Sequence, residues 1–194
     1  MPARKLKFTQ GAYYHIFNRG ANRMPIFRKA ENYEYVLRLI KKYREKYNIA
    51  VIAYSLMPNH YHLFVRQDGE HPAGQLAQQV FNSYSKAYNN AYDHSGTLFE
   101  TRFKAILVES DPYLHHLCRY IHGNAVVAGI ANSPELWPYT NYLEWIGARN
   151  GTLLERSFID AHFQTIERYQ TYLNDYLHGK GTAPKGFNDY LNSL

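Results

Sequence analysis

Two histidines, His60 and His62, flank Tyr61 in a segment with the composition of a β-strand. Because side chains two residues apart on a strand point to the same face, the two imidazoles should project side by side. That arrangement suits two nitrogen ligands of one divalent metal ion. The competing interpretation is that His60 and His62 are polar surface residues. Spacing alone favours this surface interpretation, because two histidines separated by one residue are common in proteins.

A second set of chemically useful residues lies further along the chain, in a segment that should be helical. His116, Tyr120 and Asn124 follow one another at intervals of four and therefore share one face of that helix. A tyrosine hydroxyl can act as a nucleophile, and an asparagine carbonyl oxygen can bind a metal. Spacing alone favours the alternative, in which Tyr120 packs and Asn124 caps the helix or hydrogen-bonds locally.

Tyrosine is unusually frequent, at 19 of 194 residues. Composition therefore does not indicate which tyrosine, if any, is a nucleophile. Tyr84, Tyr88 and Tyr92 also recur every four residues, and we interpret them as the packing stripe of an earlier helix. His116 and His122 flank Tyr120 and could assist proton transfer, but we expect both to be structural.

The order of elements that must position these residues is β-α-β-β-α-β-α. Alternating and apolar runs predict strands at 12–18, 49–56, 60–66 and 103–108, and helical periodicity predicts helices at 31–47, 73–92 and 111–127. Hairpins mixed with helices favour an α+β fold in which helices pack on an antiparallel sheet. Two short helical patterns follow within 152–178, and the stretch 179–186 is expected to be loose.

Charge and cysteine content narrow the class of protein. The net charge of +6 and the pI of about 9.2 favour an anionic partner, with nucleic acid first and a membrane surface second. Cys118 is the one cysteine, so no internal disulfide is possible. No apolar run approaches the length of a signal peptide or a membrane span, and we expect a cytoplasmic protein.

Residues 54–64 (Tyr-Ser-Leu-Met-Pro-Asn-His-Tyr-His-Leu-Phe) resemble the HUH signature, two histidines around a bulky hydrophobic residue, of the single-tyrosine transposases of the IS200-like class. Four further segments resemble that family in the same order: 18–20, 95–108, 119–126 and 137–142. The resemblance covers roughly residues 10–146 and is strongest for the branch associated with repetitive extragenic palindromes. Five motifs in register outweigh the surface interpretation of His60 and His62.

The resemblance implies a ferredoxin-like HUH endonuclease fold, with a catalytic domain at 1–130 and a helical C-terminal extension at 131–194. It implies a metal-dependent transposase or nickase that cleaves and rejoins single-stranded DNA beside hairpins through a 5′-phosphotyrosine intermediate. The alternatives are a domesticated, non-catalytic hairpin DNA- or RNA-binding protein on the same fold, and a replication-initiation or relaxase nickase.

By the same resemblance Tyr120 is the nucleophile, and His60, His62 and Asn124 hold Mg²⁺ or Mn²⁺. One departure is Ala125, where the family has proline, and the helix is therefore expected to continue further. The residues expected to contact DNA are Arg19, Arg23, Arg66, Arg102 and Lys104. A solvated surface position is an equally good interpretation of the basic residues around the first strand, whereas Arg66, Arg102 and Lys104 lie nearer the proposed site. Those around the first strand are Arg4, Lys5, Lys7, Arg19, Arg23 and Arg28. Both a monomer and a homodimer remain open.

Overall fold

The structure is a computed structural model, and it describes residues 6–180. Its strands are β1 (Tyr13–Arg19), β2 (Ile49–Met57), β3 (His60–Gln67) and β4 (Lys104–Val108). Its helices are α1 (Ala30–Tyr47), α2 (Gly74–Tyr92), α3 (Asp111–Val127), α4 (Tyr142–Trp145), α5 (Arg156–Phe163) and α6 (Ile166–Leu177). The predicted order β-α-β-β-α-β-α is confirmed, and each predicted end lies within about one residue of the observed one.

Two sequence interpretations fall partly or wholly outside the described residues. They are the basic residues Arg4 and Lys5 and most of the loose stretch predicted at 179–186. Within residues 6–180, no helix is both long enough and apolar enough to span a membrane.

The four strands form one antiparallel sheet in the order β2-β3-β1-β4. β1 and β3 pair antiparallel, and this register places Phe17 opposite His62 and Arg19 opposite His60. The two-residue turn Pro58–Asn59 joins β2 to β3 and makes them a hairpin. The arrangement confirms the α+β, ferredoxin-like sheet with flanking helices.

Strand alternation divides β1 and β3 into two faces. On one face Tyr61 stacks against Phe81 of α2, with ring centroids 3.6 Å apart, and buried Ile16 and Leu63 share that face. The other face carries His15, Phe17, His60 and His62. The register therefore places both histidines on the face opposite the one that packs on α2.

The chain divides into two compact units. The first contains Leu56–Leu107 and the residues up to Val51, and the second contains Ile52–Ser55 of β2 together with the residues from Val108 onward. The functional boundary at residue 130 stays a prediction.

The core of the second unit is organised around Asn141, which is fully buried. Its amide nitrogen donates to the carbonyl oxygens of Ile52 (2.8 Å) and Leu153 (3.3 Å). Its amide oxygen accepts from the Tyr54 backbone N–H (2.9 Å) and lies 3.0 Å from Nε2 of His122. Because the amide nitrogen is committed as a donor, Nε2 of His122 must carry the proton in this contact.

His122 is held on both sides. With the proton on Nε2, its Nδ1 accepts a hydrogen bond from the hydroxyl of buried Tyr169. Its ring also packs edge-on against Trp145, with centroids 4.9 Å apart. Burial lowers the pKa of His122 to about 4, so the ring is neutral at neutral pH. These contacts support the structural interpretation of His122.

Gly123 lies inside α3, where glycine is normally unfavourable. A Cβ atom at this position would lie 3.0 Å from Leu177 and 3.1 Å from Tyr176 of α6. The glycine therefore allows α6 to approach α3 more closely than a larger residue would.

We expect Asn141→Ala to lower the free energy of unfolding by about 3 kcal/mol or more, because it leaves several buried donors and acceptors without partners. Urea denaturation followed by circular dichroism measures this loss. Asn132→Ala, at an exposed position, is the matched control and should change stability by less than about 0.5 kcal/mol. Equal stability of the two variants would contradict the role given to Asn141.

Candidate active site

His60 and His62 lie side by side at the start of β3. Their ring centroids are 5.1 Å apart and the ring planes are nearly perpendicular. His62 is 1% exposed, whereas His60, the first residue of β3, is half-buried. The predicted projection of both imidazoles from one face is confirmed by the strand register.

The protonation of His60 can be read from its neighbour Asn59. The amide nitrogen of Asn59 donates to the backbone oxygen of Arg23 at 3.2 Å, which fixes the orientation of the amide. Its amide oxygen lies 2.7 Å from Nδ1 of His60, so Nδ1 carries the proton and donates. This hydrogen bond leaves Nε2 as the nitrogen of His60 that is available to bind a metal.

His62 has a corresponding partner in His15 on β1. Nδ1 of His62 lies 3.0 Å from Nε2 of His15, and both rings are buried. Burial lowers the pKa of His62 well below its usual value, and the nearby His60 and His15 rings lower it further. Burial also lowers the pKa of His15 to about 3. The imidazoles of His62 and His15 are therefore neutral at neutral pH, and the neutral form is the one that binds metals.

Sequence reasoning did not single out His15. The sequence does predict that His15 and Phe17 lie on the same face of β1, because they are two residues apart. It does not predict which strand pairs with β1, because that pairing is not a local property of the segment. Only the register with β3 places His15 next to His62.

The donor atoms of His60 and His62 and the hydrogen bonds around them are suited to binding a divalent metal. Two imidazoles share one face, and each has its Nδ1 in a hydrogen bond that orients the ring. Metal-binding histidines usually have such a partner on the second nitrogen. Within residues 6–180, no group of three or more His, Cys, Asp or Glu side chains is placed to hold a metal ion.

Tyr120 and Asn124 lie one helical turn apart on α3, as their spacing predicts, and both are buried (9% and 7% exposed). Burial raises the pKa of Tyr120, and the Asn124 amide acts in the opposite direction. The phenol is therefore neutral at neutral pH. Helix α3 continues through Ala125 to Val127, as the absence of proline predicts.

The structure thus forms the pairs His60–His62 and Tyr120–Asn124. The histidines belong to the first unit, and Tyr120 and Asn124 belong to the second.

The three tyrosines of α2 that could serve as alternative nucleophiles all use their hydroxyl groups in hydrogen bonds within the protein. The hydroxyl groups of Tyr84 and Tyr88 donate to the backbone oxygens of Ile26 and Pro25, and Tyr92 donates to the side chain of Asn32 at 2.9 Å. These bonds attach the segment after β1 to α2. They support the interpretation of the three tyrosines as structural.

Two of the five predicted DNA-contacting residues are already ion-paired. Arg19 bonds Glu100 at 2.8 Å. Arg66 makes a two-pronged bond to Asp68, which raises the pKa of the guanidinium. The other three are exposed: Arg23, Arg102 and Lys104. Lys104 extends over the ring of Phe17, at 5.9 Å from its centroid, on the face that carries the histidines.

The sequence matches the family model described as "Transposase IS200 like" over residues 8–124. This match spans more than half of the chain, which therefore belongs to the IS200-like transposase family.

One solved structure with a similar fold is described as a REP-associated tyrosine transposase bound to a REP hairpin. It has a TM-score of 0.63 and 14% identity, over 80% of this chain and 94% of that chain. A second, a proposed transposase from Deinococcus radiodurans R1, has a TM-score of 0.43 and 14% identity, over 63% of this chain and 96% of that chain. The comparison with curated proteins finds no match.

We expect His15→Leu to weaken Mn²⁺ binding by about tenfold or more, because it removes the hydrogen bond that orients His62. Isothermal titration calorimetry measures this affinity. His15→Gln is the matched control, since its amide can still bond Nδ1 of His62, and it should retain more of the affinity than His15→Leu. Wild-type affinity in His15→Leu would show that His15 does not position a metal ligand.

Proposed function

We propose that this transposase cleaves and rejoins single-stranded DNA beside hairpins through a 5′-phosphotyrosine intermediate, in a metal-dependent reaction. The observation that carries the proposal is the pair of imidazoles of His60 and His62, which share one face and are each oriented through Nδ1. Membership of the transposase family and the presence of Tyr120 on α3 support it.

The proposed reaction is a transesterification. The hydroxyl oxygen of Tyr120 attacks the phosphorus of a phosphodiester, and a phosphorus–oxygen bond to tyrosine forms. The bond to the 3′ oxygen breaks, and the proton lost by the phenol is balanced by protonation of that oxygen to a free 3′-OH. Rejoining is the reverse reaction, so the covalent intermediate conserves bond energy and no nucleotide hydrolysis is required.

His60 and His62 are the proposed nitrogen ligands of the metal, and Asn124 is the proposed oxygen ligand by its match to the family's catalytic helix. A bound Mg²⁺ or Mn²⁺ would stabilise the negative charge that develops on the phosphate oxygens. With two histidine nitrogens, an asparagine oxygen would complete a mixed nitrogen and oxygen ligand set.

The proposed partner is hairpin DNA with a single-stranded flank, and the proposed branch of the family is that of REP-associated transposases. The similar fold of a REP-associated transposase bound to a REP hairpin supports both assignments. We assign phosphate contacts first to exposed Arg23, Arg102 and Lys104. Arg19 and Arg66 would have to exchange their carboxylate partners for phosphate.

We expect wild-type protein incubated with hairpin DNA and Mn²⁺ to form an adduct that survives denaturing electrophoresis, and Tyr120→Phe to form none. The phenylalanine keeps the ring but removes the attacking oxygen. Tyr43→Phe is the matched control, because Tyr43 lies on α1 outside the residues assigned to the metal and to DNA, and it should retain the adduct. An undiminished adduct in Tyr120→Phe would assign the nucleophile to another residue.

His60→Ala combined with His62→Ala should abolish metal-dependent cleavage while DNA affinity falls by less than about fivefold, since neither residue is assigned to phosphate contacts. Cleavage is scored on gels and affinity by fluorescence anisotropy. Full cleavage by the double variant would end the metal-site assignment. Tight hairpin binding by wild-type protein with no cleavage at any metal concentration would instead favour a non-catalytic hairpin-binding protein.

A further inference from the structure

The segment at 20–29, here called the basic loop, follows β1 and carries positive charge without any acidic residue. Its basic residues Arg23, Arg28 and Lys29 are all exposed, and so is Met24 at 52%. Asn22 and Arg23 both have positive φ, at 53° and 58°. Consecutive non-glycine residues in this region are unfavourable, and such strain concentrates at functional sites.

Hydrogen bonds to the β2–β3 turn and from α2 hold the basic loop in one conformation. The backbone N–H groups of Ile26 and Phe27 both donate to the oxygen of Pro58, at 2.8 and 3.0 Å. The hydroxyl of Tyr88 donates to the oxygen of Pro25 at 3.2 Å. A surface held in this way loses little conformational entropy when it binds a partner.

The basic loop is connected directly to the candidate metal ligand His60 through Asn59. The backbone oxygen of Asn59 accepts from Gly20 N–H at 2.8 Å, and its side chain donates to the Arg23 oxygen at 3.2 Å. The same side chain accepts from Nδ1 of His60 at 2.7 Å. A strand of DNA that lies on this loop therefore lies beside the candidate metal ligand His60.

Arg28 is the residue of the basic loop with the most distinctive surroundings. Its guanidinium carbon lies 4.7 Å from the ring centroid of Tyr92 and 5.3 Å from that of Tyr88. The hydroxyl of Tyr92 is in turn fixed to the side chain of Asn32 at 2.9 Å. Within residues 6–180, no carboxylate pairs with Arg28. Arg19, which directly precedes the basic loop, is in contrast paired with Glu100.

We propose that a nucleobase of the single-stranded DNA flank stacks on the Arg28 guanidinium, which Tyr88 and Tyr92 support from the protein side. A planar guanidinium that rests on tyrosine and is exposed to solvent presents a flat, cationic face. An unpaired base can stack there, whereas a base inside a duplex is already covered by its neighbours. This inference rests on the proposed function and specifies where its substrate binds.

The test uses a DNA hairpin with single-stranded flanks that carry one 2-aminopurine, moved position by position between oligonucleotides. For wild-type protein, the fluorescence at one flank position should be quenched on binding, because stacking quenches this base. Arg28→Lys keeps the charge but removes the planar surface, so this quenching should disappear and affinity should fall about tenfold. The dependence of affinity on salt concentration should not change, because the number of charges is the same.

Arg38→Lys is the matched control, because Arg38 also lies over a tyrosine, at 5.7 Å from the ring centroid of Tyr35, but pairs with Glu34. It should bind and quench as wild type does. A second pair of variants tests the support beneath Arg28: Tyr92→Phe retains the ring and should quench, whereas Tyr92→Leu should behave as Arg28→Lys does.

Wild-type quenching and affinity in Arg28→Lys, in a protein that still forms the Tyr120 adduct, would overturn the stacking site and leave the proposed function standing. Failure of the wild-type protein to bind any of the hairpins would overturn both.

Discussion

The register between β1 and β3 is the constraint on which the candidate site depends. It places Phe17 opposite His62 and Arg19 opposite His60, so His15 reaches Nδ1 of His62. A slip of one residue would turn these side chains to the opposite face of the sheet. There the stacking of Tyr61 on Phe81 occupies the space against α2. Packing on one face thus determines which side chains can do chemistry on the other.

Asn59 has a similar role at the turn that begins β3. With its two side-chain atoms and its backbone oxygen it joins Gly20, Arg23 and His60. The imidazole that we assign to the metal and the loop that we assign to the DNA strand are therefore positioned by one residue. This explains in physical terms why an asparagine fits directly before the first histidine.

The sequence predicts the elements well, because the alternation at 60–66 and the four-residue spacing through Tyr84, Tyr88 and Tyr92 are local signals. It also predicts that His60 and His62 share a face and that α3 continues past Ala125. The contribution of His15 was not predictable, because it depends on which strands pair. The ion pairs of Arg19 with Glu100 and of Arg66 with Asp68 depend on side-chain contacts that charge counting ignores.

The central claim, that two oriented histidines bind the catalytic metal, is tested most directly by pulsed electron paramagnetic resonance of the Mn²⁺-loaded protein. This method detects imidazole nitrogens bound to the metal without requiring turnover or a known DNA target. The account predicts couplings from two histidine nitrogens, reduced to one in His60→Ala. A spectrum without histidine couplings, from protein shown to have bound Mn²⁺, would contradict it.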